Sequence, residues 1–136
     1  MPRYEFLEHM ADAKFRAYGS NLEECFANAA EAMIAIMTDP QKVKPVLTKS
    51  ISVVGADLKA LLYNFLEEFL VLLDAENFVL HKVSSIKIER VGERYILSAT
   101  AIGDNAAGYE FETAIKAVTY MDMEVTERYV QVVVDI

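Results

Sequence analysis

The residues with most to offer chemically stand near the two ends of the chain. Glu8, His9 and Asp12 fall within five positions of one another, in the turn-like stretch EHMAD. Such residues commonly cap turns and solvate a surface. Asp135 is harder to explain that way. It is next to last in the valine-rich run YVQVVVDI, and β structure is poor in aspartate. Either it frays into solvent at a chain end, or it joins the carboxyl end of Ile136 in offering oxygen ligands to a hard cation, Ca²⁺ or Mg²⁺. A strand over 3–8 lying beside a strand over 129–136 would bring Asp12 to Asp135. Two carboxylates held together repel, and a shared divalent cation resolves the repulsion. Lys116, set in the otherwise apolar IKAVTY, has two readings. It snorkels from a sheet edge, or it pairs with a carboxylate of that site.

Other devices are missing. His9 and His81 are the only histidines, and neither sits in an H-E-x-x-H arrangement. His81 follows Phe78, Val79 and Leu80, which favours a structural role. Cys25 falls on the apolar stripe of a helix, where an inert thiol is the expectation. No glycine-rich phosphate loop and no G-x-S-x-G elbow is present. A small metal-dependent hydrolase built on Asp12 and Asp135 would therefore lack a nucleophile or base beside its carboxylates. A general chaperone or assembly factor would need a large exposed apolar patch.

The elements that must position these residues follow from pattern. Tyr4 and Phe6 alternate with charged neighbours over 3–8, and residues 14–18 alternate again before Gly19. Ser20 with Glu23 reads as a capping box. Leu22, Cys25, Phe26, Ala29, Ala30, Met33, Ile36 and Met37 then form a helical stripe, closed at Asp39-Pro40. Residues 46–56 are rich in β-branched types and predict a strand. Asp57 is placed to cap a second helix whose broad face runs from Leu58 to Leu73, with Asp74–Asn77 ending it. VSSIKIERV and RYILSATA, parted by Gly92-Glu93, predict a hairpin. GDNAAG is a turn, and EFETAI leads into an expected strand over 118–126. Glu127-Arg128 then turns the chain into the last strand, with Val130, Val132 and Val134 on one face. The expected fold is α+β: a single domain over 1–136, one mostly antiparallel mixed sheet with two main helices packed on it, and no second core.

Charge and composition limit the partners. Of the 136 residues 54% are hydrophobic, which argues against disorder. The formal net charge of -8 argues against autonomous nucleic-acid binding, because a groove for phosphates needs a basic stripe. Lys82, Lys87, Arg90 and Arg94 are interrupted by Glu89 and Glu93. A basic protein or a cation is the easier partner. One cysteine excludes an internal disulfide framework. With no membrane-length apolar run and no signal-like start, the cytoplasm is the expected compartment.

Three blocks carry a resemblance that spans the whole chain. YEFLEHMADAKFRAYGSNLEECFANAAEAM resembles the opening of the archease family, with its D-H-T-A-D element and following helix; IKAVTY resembles a later signature of that family, and VVVDI its carboxyl end. The resemblance implies a small accessory protein and not a stand-alone enzyme. Its partner would be the RNA ligase that joins tRNA exon halves in splicing, whose guanylylation and turnover it promotes. It also implies a compact α/β fold and a divalent cation, calcium with magnesium as the alternative, in an acidic cluster. Carried over by position, the cluster is Asp12, Asp135 and the oxygens of Ile136, with Glu8 and His9 as supports around it. Lys116 is the lysine that acts on the partner. Three positions depart from the pattern. Glu8 replaces the first aspartate with a longer arm, Met10 removes a hydroxyl, and Met121 stands where the family usually has histidine.

Overall fold

A computed structural model describes residues 3–8 and 12–136. In chain order it has β1 (Tyr4–Leu7), β2 (Ala13–Tyr18), α1 (Leu22–Met37), β3 (Leu47–Gly55), α2 (Leu58–Glu76), β4 (Phe78–Val91), β5 (Arg94–Asn105), β6 (Ala117–Val118), β7 (Glu124–Val125) and β8 (Tyr129–Asp135). The α+β class stands, with antiparallel strand pairing and two main helices packed against it.

The helix ends show how local chemistry starts and stops each element. The cap of α1 lies one residue later than the Ser20–Glu23 box expected from sequence. Asn21 Oδ1 accepts the Glu24 N–H at 2.8 Å, and the Glu24 carboxylate accepts the Ser20 N–H and hydroxyl, both at 3.2 Å. Asparagine is as good a cap as serine, so the neighbouring pair satisfies the same unpaired donors. Helix α2 begins as expected, with Asp57 Oδ1 accepting the Ala60 N–H at 2.8 Å. It ends where Asn77 adopts a left-handed conformation at φ 55. Gly92, at φ +66, supplies the turn between β4 and β5 that a side chain would disfavour.

The expectation of one sheet gives way to two. One has the order β1-β2-β8-β6, with β7 also on β8; the other has the order β3-β5-β4. Helix α1 touches both β2 and β4, and α2 packs on β3 and β4, so the helices join the sheets. A single cluster of buried side chains results, including Phe15, Phe26, Met33, Phe65, Phe69 and Phe78. No second core forms among the described residues, as expected. The apolar stripes of both helices are consumed in this one interior.

The strand expected over 118–126 is broken. Two short strands, β6 and β7, lie in tandem along the same edge of β8, with registers Ala117↔Asp135 and Val125↔Val130. Between them the chain leaves the sheet in a turn where Asp122 takes φ 50. Aspartate tolerates that conformation better than most residues, which makes it a natural break point. Strand β8 is buried on both faces. Val130, Val132 and Val134 enter the core, while Gln131 and Val133 are 4% and 0% exposed on the other side.

Candidate functional site

Sheet register decides whether the two ends of the chain meet. β1 does not lie beside β8, as the sequence reading supposed; β2 stands between them. The two positions nevertheless fall at the same end of one ladder. The β2–β8 ladder ends on the rung Ala13↔Val134, and Asp12 and Asp135 are the next residue along on each strand. On the other side of β8 the Lys116 N–H donates to the Asp135 carbonyl at 2.7 Å, and Ala117 is the register partner of Asp135. The Asp135 backbone is thus fastened on the β6 side. Asp12 is half-buried, while Asp135, Ile136 and Lys116 are exposed. Glu8 is exposed too, and follows the last β1–β2 rung, Leu7↔Lys14, at the same end of the sheet. His9 and Met10 lie outside the described residues.

The donors this edge offers are oxygens: the Asp12 and Asp135 carboxylates and the main-chain oxygens of Ile136. Hard oxygen donors suit Ca²⁺ or Mg²⁺ and not the thiolate- and imidazole-seeking metals. Among the described residues no group of three or more His, Cys, Asp or Glu side chains is gathered for a metal. Among the described residues a cation here would draw on those two carboxylates, with main-chain oxygen and water to complete its shell. That fits a hard, flexibly coordinated ion.

Sequence reasoning missed a polar network three rungs in from the end of the β2–β8 ladder. Arg16 donates to Gln131 Oε1 at 2.7 Å and lies 4.0 Å from Glu124. Its guanidinium sits 4.3 Å over the Tyr129 ring. Gln131 donates to the Asp122 carbonyl at 2.9 Å and to Glu124 Oε2 at 3.1 Å. The Tyr129 hydroxyl donates to Glu124 Oε1 at 2.7 Å, and this bond pushes the phenol above its ordinary pKa. Lys14 reaches Asp122 Oδ2 at 3.4 Å. The one sequence signal was Gln131 itself, a lone amide among valines. A buried amide needs partners, and only the register with Arg16 and Glu124 shows which.

The remaining nucleophile and base candidates are committed elsewhere. Cys25 is fully buried, and burial pushes its thiol up to about 11. His81 Nδ1 is 2.9 Å from the Pro40 carbonyl, tying β4 to the turn after α1. These are structural roles, as the sequence suggested.

Comparison with known proteins bears on the whole chain. The model of the archease protein family (MTH1598/TM1083) matches residues 4–136. Protein archease of Methanosarcina barkeri is 38% identical, over 98% of this chain and 96% of its own length. Protein archease of Thermococcus gammatolerans is 42% identical over 92% and 89%. The solution structure of protein 1598 of Methanobacterium thermoautotrophicum superimposes with a TM-score of 0.83 at 32% identity, covering both chains completely. With a family model spanning the chain, close relatives along its length and the same fold in a solved structure, this chain belongs to the archease family.

Proposed function

We propose that this chain is a metal-binding accessory protein of the cytoplasm, not itself an enzyme, that activates an RNA ligase in tRNA splicing by promoting its guanylylation and turnover. The observation that carries the reading is the backbone register that brings Asp12, Asp135 and Lys116 to one end of the sheet from three separate parts of the sequence. Asp12 and Asp135 would hold a divalent cation, calcium or magnesium. The ion would supply fixed positive charge at the protein surface. Lys116 is exposed beside them and offers a second positive group to an anionic partner. An ammonium donates hydrogen bonds and does not ligate a metal, so its part is separable from that of the carboxylates. Activation of this kind asks for no base or nucleophile from the chain, in keeping with the structural commitments of Cys25 and His81.

The test is guanylylation of the ligase with GTP and Mn²⁺, paired with calorimetric titration of Ca²⁺ and Mg²⁺. The wild-type chain speeds formation of the guanylylated ligase. Asp135→Asn keeps the fold, weakens cation binding at least tenfold and loses activation. Lys116→Ala loses activation and keeps cation affinity. No activation by the wild-type chain overturns the function; equal activation by wild type and Asp135→Asn, or equal cation affinity, overturns the part given to the site.

A further inference from the structure

The turn between β6 and β7 exposes side chains that a solvated loop has no reason to carry. Tyr120 and Met121 are 54% and 52% exposed, and they are adjacent. The backbone beneath them is fastened on both sides. The Thr119 hydroxyl donates to the Val133 carbonyl at 2.7 Å and accepts the Met121 N–H at 3.3 Å. Met123 is buried at 3% exposure, and its N–H donates to the Tyr120 carbonyl at 3.2 Å. Asp122 is held in its left-handed conformation by Lys14 on its carboxylate and Gln131 on its carbonyl. The Tyr120 ring is stacked on Tyr63 of α2, with centroids 4.6 Å apart and planes 11° from parallel.

This construction fixes the backbone beneath two large exposed side chains and orients the Tyr120 ring. A side chain already oriented loses less freedom on association than a mobile one. Tyrosine and methionine are also the residue types enriched where protein surfaces meet. The rim holds three carboxylates against two cations: Asp122 pairs with Lys14 at 3.4 Å, Glu124 lies 4.0 Å from Arg16, and Glu67 stands beside Tyr63 along α2. The whole chain is acidic as well, at net -8. An enzyme that joins RNA must carry a basic surface to hold phosphates, and such a surface complements this rim.

We propose that the turn 119–123 is the docking element through which this chain holds its ligase, with Tyr120 and Met121 seated in an apolar recess ringed by lysine or arginine. The proposal builds on the reading of the chain as a ligase activator, and gives the grip to residues other than those that would hold the cation. The edge acts on the reaction, and the turn sets how tightly the two proteins associate.

The experiment measures the dissociation constant of the complex by titrating fluorescently labelled chain with ligase, together with guanylylation and Ca²⁺ titration. The variants are Tyr120→Ser, Met121→Ser and the charge reversal Glu67→Lys. The expected result for the two apolar variants is a tenfold or greater rise in the dissociation constant and in the concentration giving half-maximal activation. Calcium affinity stays at the wild-type value. Glu67→Lys weakens the complex most at low salt, and the difference from wild type shrinks as salt is raised. Met121→Ser guards against loss of the Tyr63 stack, since Met121 reports on docking without it. If all three variants bind the ligase as tightly as wild type, the docking role is overturned while activation by wild type still stands. If wild type binds and the variants do not, yet no guanylylation is promoted, docking stands and the activator reading falls.

Discussion

At the residue scale, the hydrogen bonds of single side chains set both position and titration. Tyr109 shows both effects. Its hydroxyl donates to Asp104 Oδ2 at 2.6 Å and accepts the Lys44 N–H at 2.9 Å, so one phenol ties the end of β5 to the segment before β3. The Asp104 carboxylate also accepts the Asn105 N–H at 2.8 Å. These bonds favour the ionised form and hold Asp104 below the usual aspartate range, the Tyr109 bond first. A carboxylate depressed by folding contributes stability above its unfolded pKa, and that contribution is lost as pH falls through the lower folded value. Tyr109→Phe should therefore raise the Asp104 pKa toward its ordinary value and flatten the loss of stability on acidification below about pH 4. Carboxyl NMR titration reads the first effect and urea unfolding at several pH values the second. An unchanged Asp104 titration would show that Tyr109 does not set it.

At the element scale, the two helices differ in what they do for the sheets. Helix α1 bridges β2 and β4, and its own buried residues are often small: Ala29, Ala30 and Ala32 are fully buried, which permits close approach. Helix α2 brings bulk. Phe65 is fully buried, edge-on to Phe69 at 5.1 Å and tilted against Phe26 at 6.2 Å, so it joins both helices in the core. Phe65→Ala should cost about 3–5 kcal/mol, because the lost transfer energy adds to that of a cavity the rigid surroundings cannot close. Urea unfolding with an unchanged slope is the measurement. A cost near zero would place the ring outside the core.

At the scale of the whole molecule, charge and chain ends are linked. A net charge of -8 repels itself, and any salt relieves part of that repulsion. A cation bound at Asp12 and Asp135 would do more, because β2 and β8 come from opposite ends of the chain and the ion would clamp them. By mass action, calcium at a hundred times its dissociation constant should stabilise the fold by about 2.7 kcal/mol. Thermal unfolding should show a rise in Tm with CaCl₂ beyond that with NaCl of equal ionic strength, and Asp135→Asn should show the NaCl effect alone. An equal calcium response in the two proteins would assign it to screening.

Much was legible before any coordinates, because it depends on neighbours in sequence. The apolar stripes of α1 and α2, the Asp57 cap, the Gly92 turn and the alternation in β8 are local patterns with local causes. The archease pattern likewise marked Asp12, Asp135 and Lys116 by type and order. What the chain does between elements was not written locally. Whether the strands form one sheet or two, and that β2 separates β1 from β8, depend on which edges find partners once the helices are placed. The break at Asp122 and the network around Gln131 depend on groups 5 to 115 positions apart in sequence. The approach of Asp12 to Asp135 is of this second kind. Residue type made the two carboxylates candidates, and only the antiparallel register of β2 against β8 put their positions at the same end of one ladder.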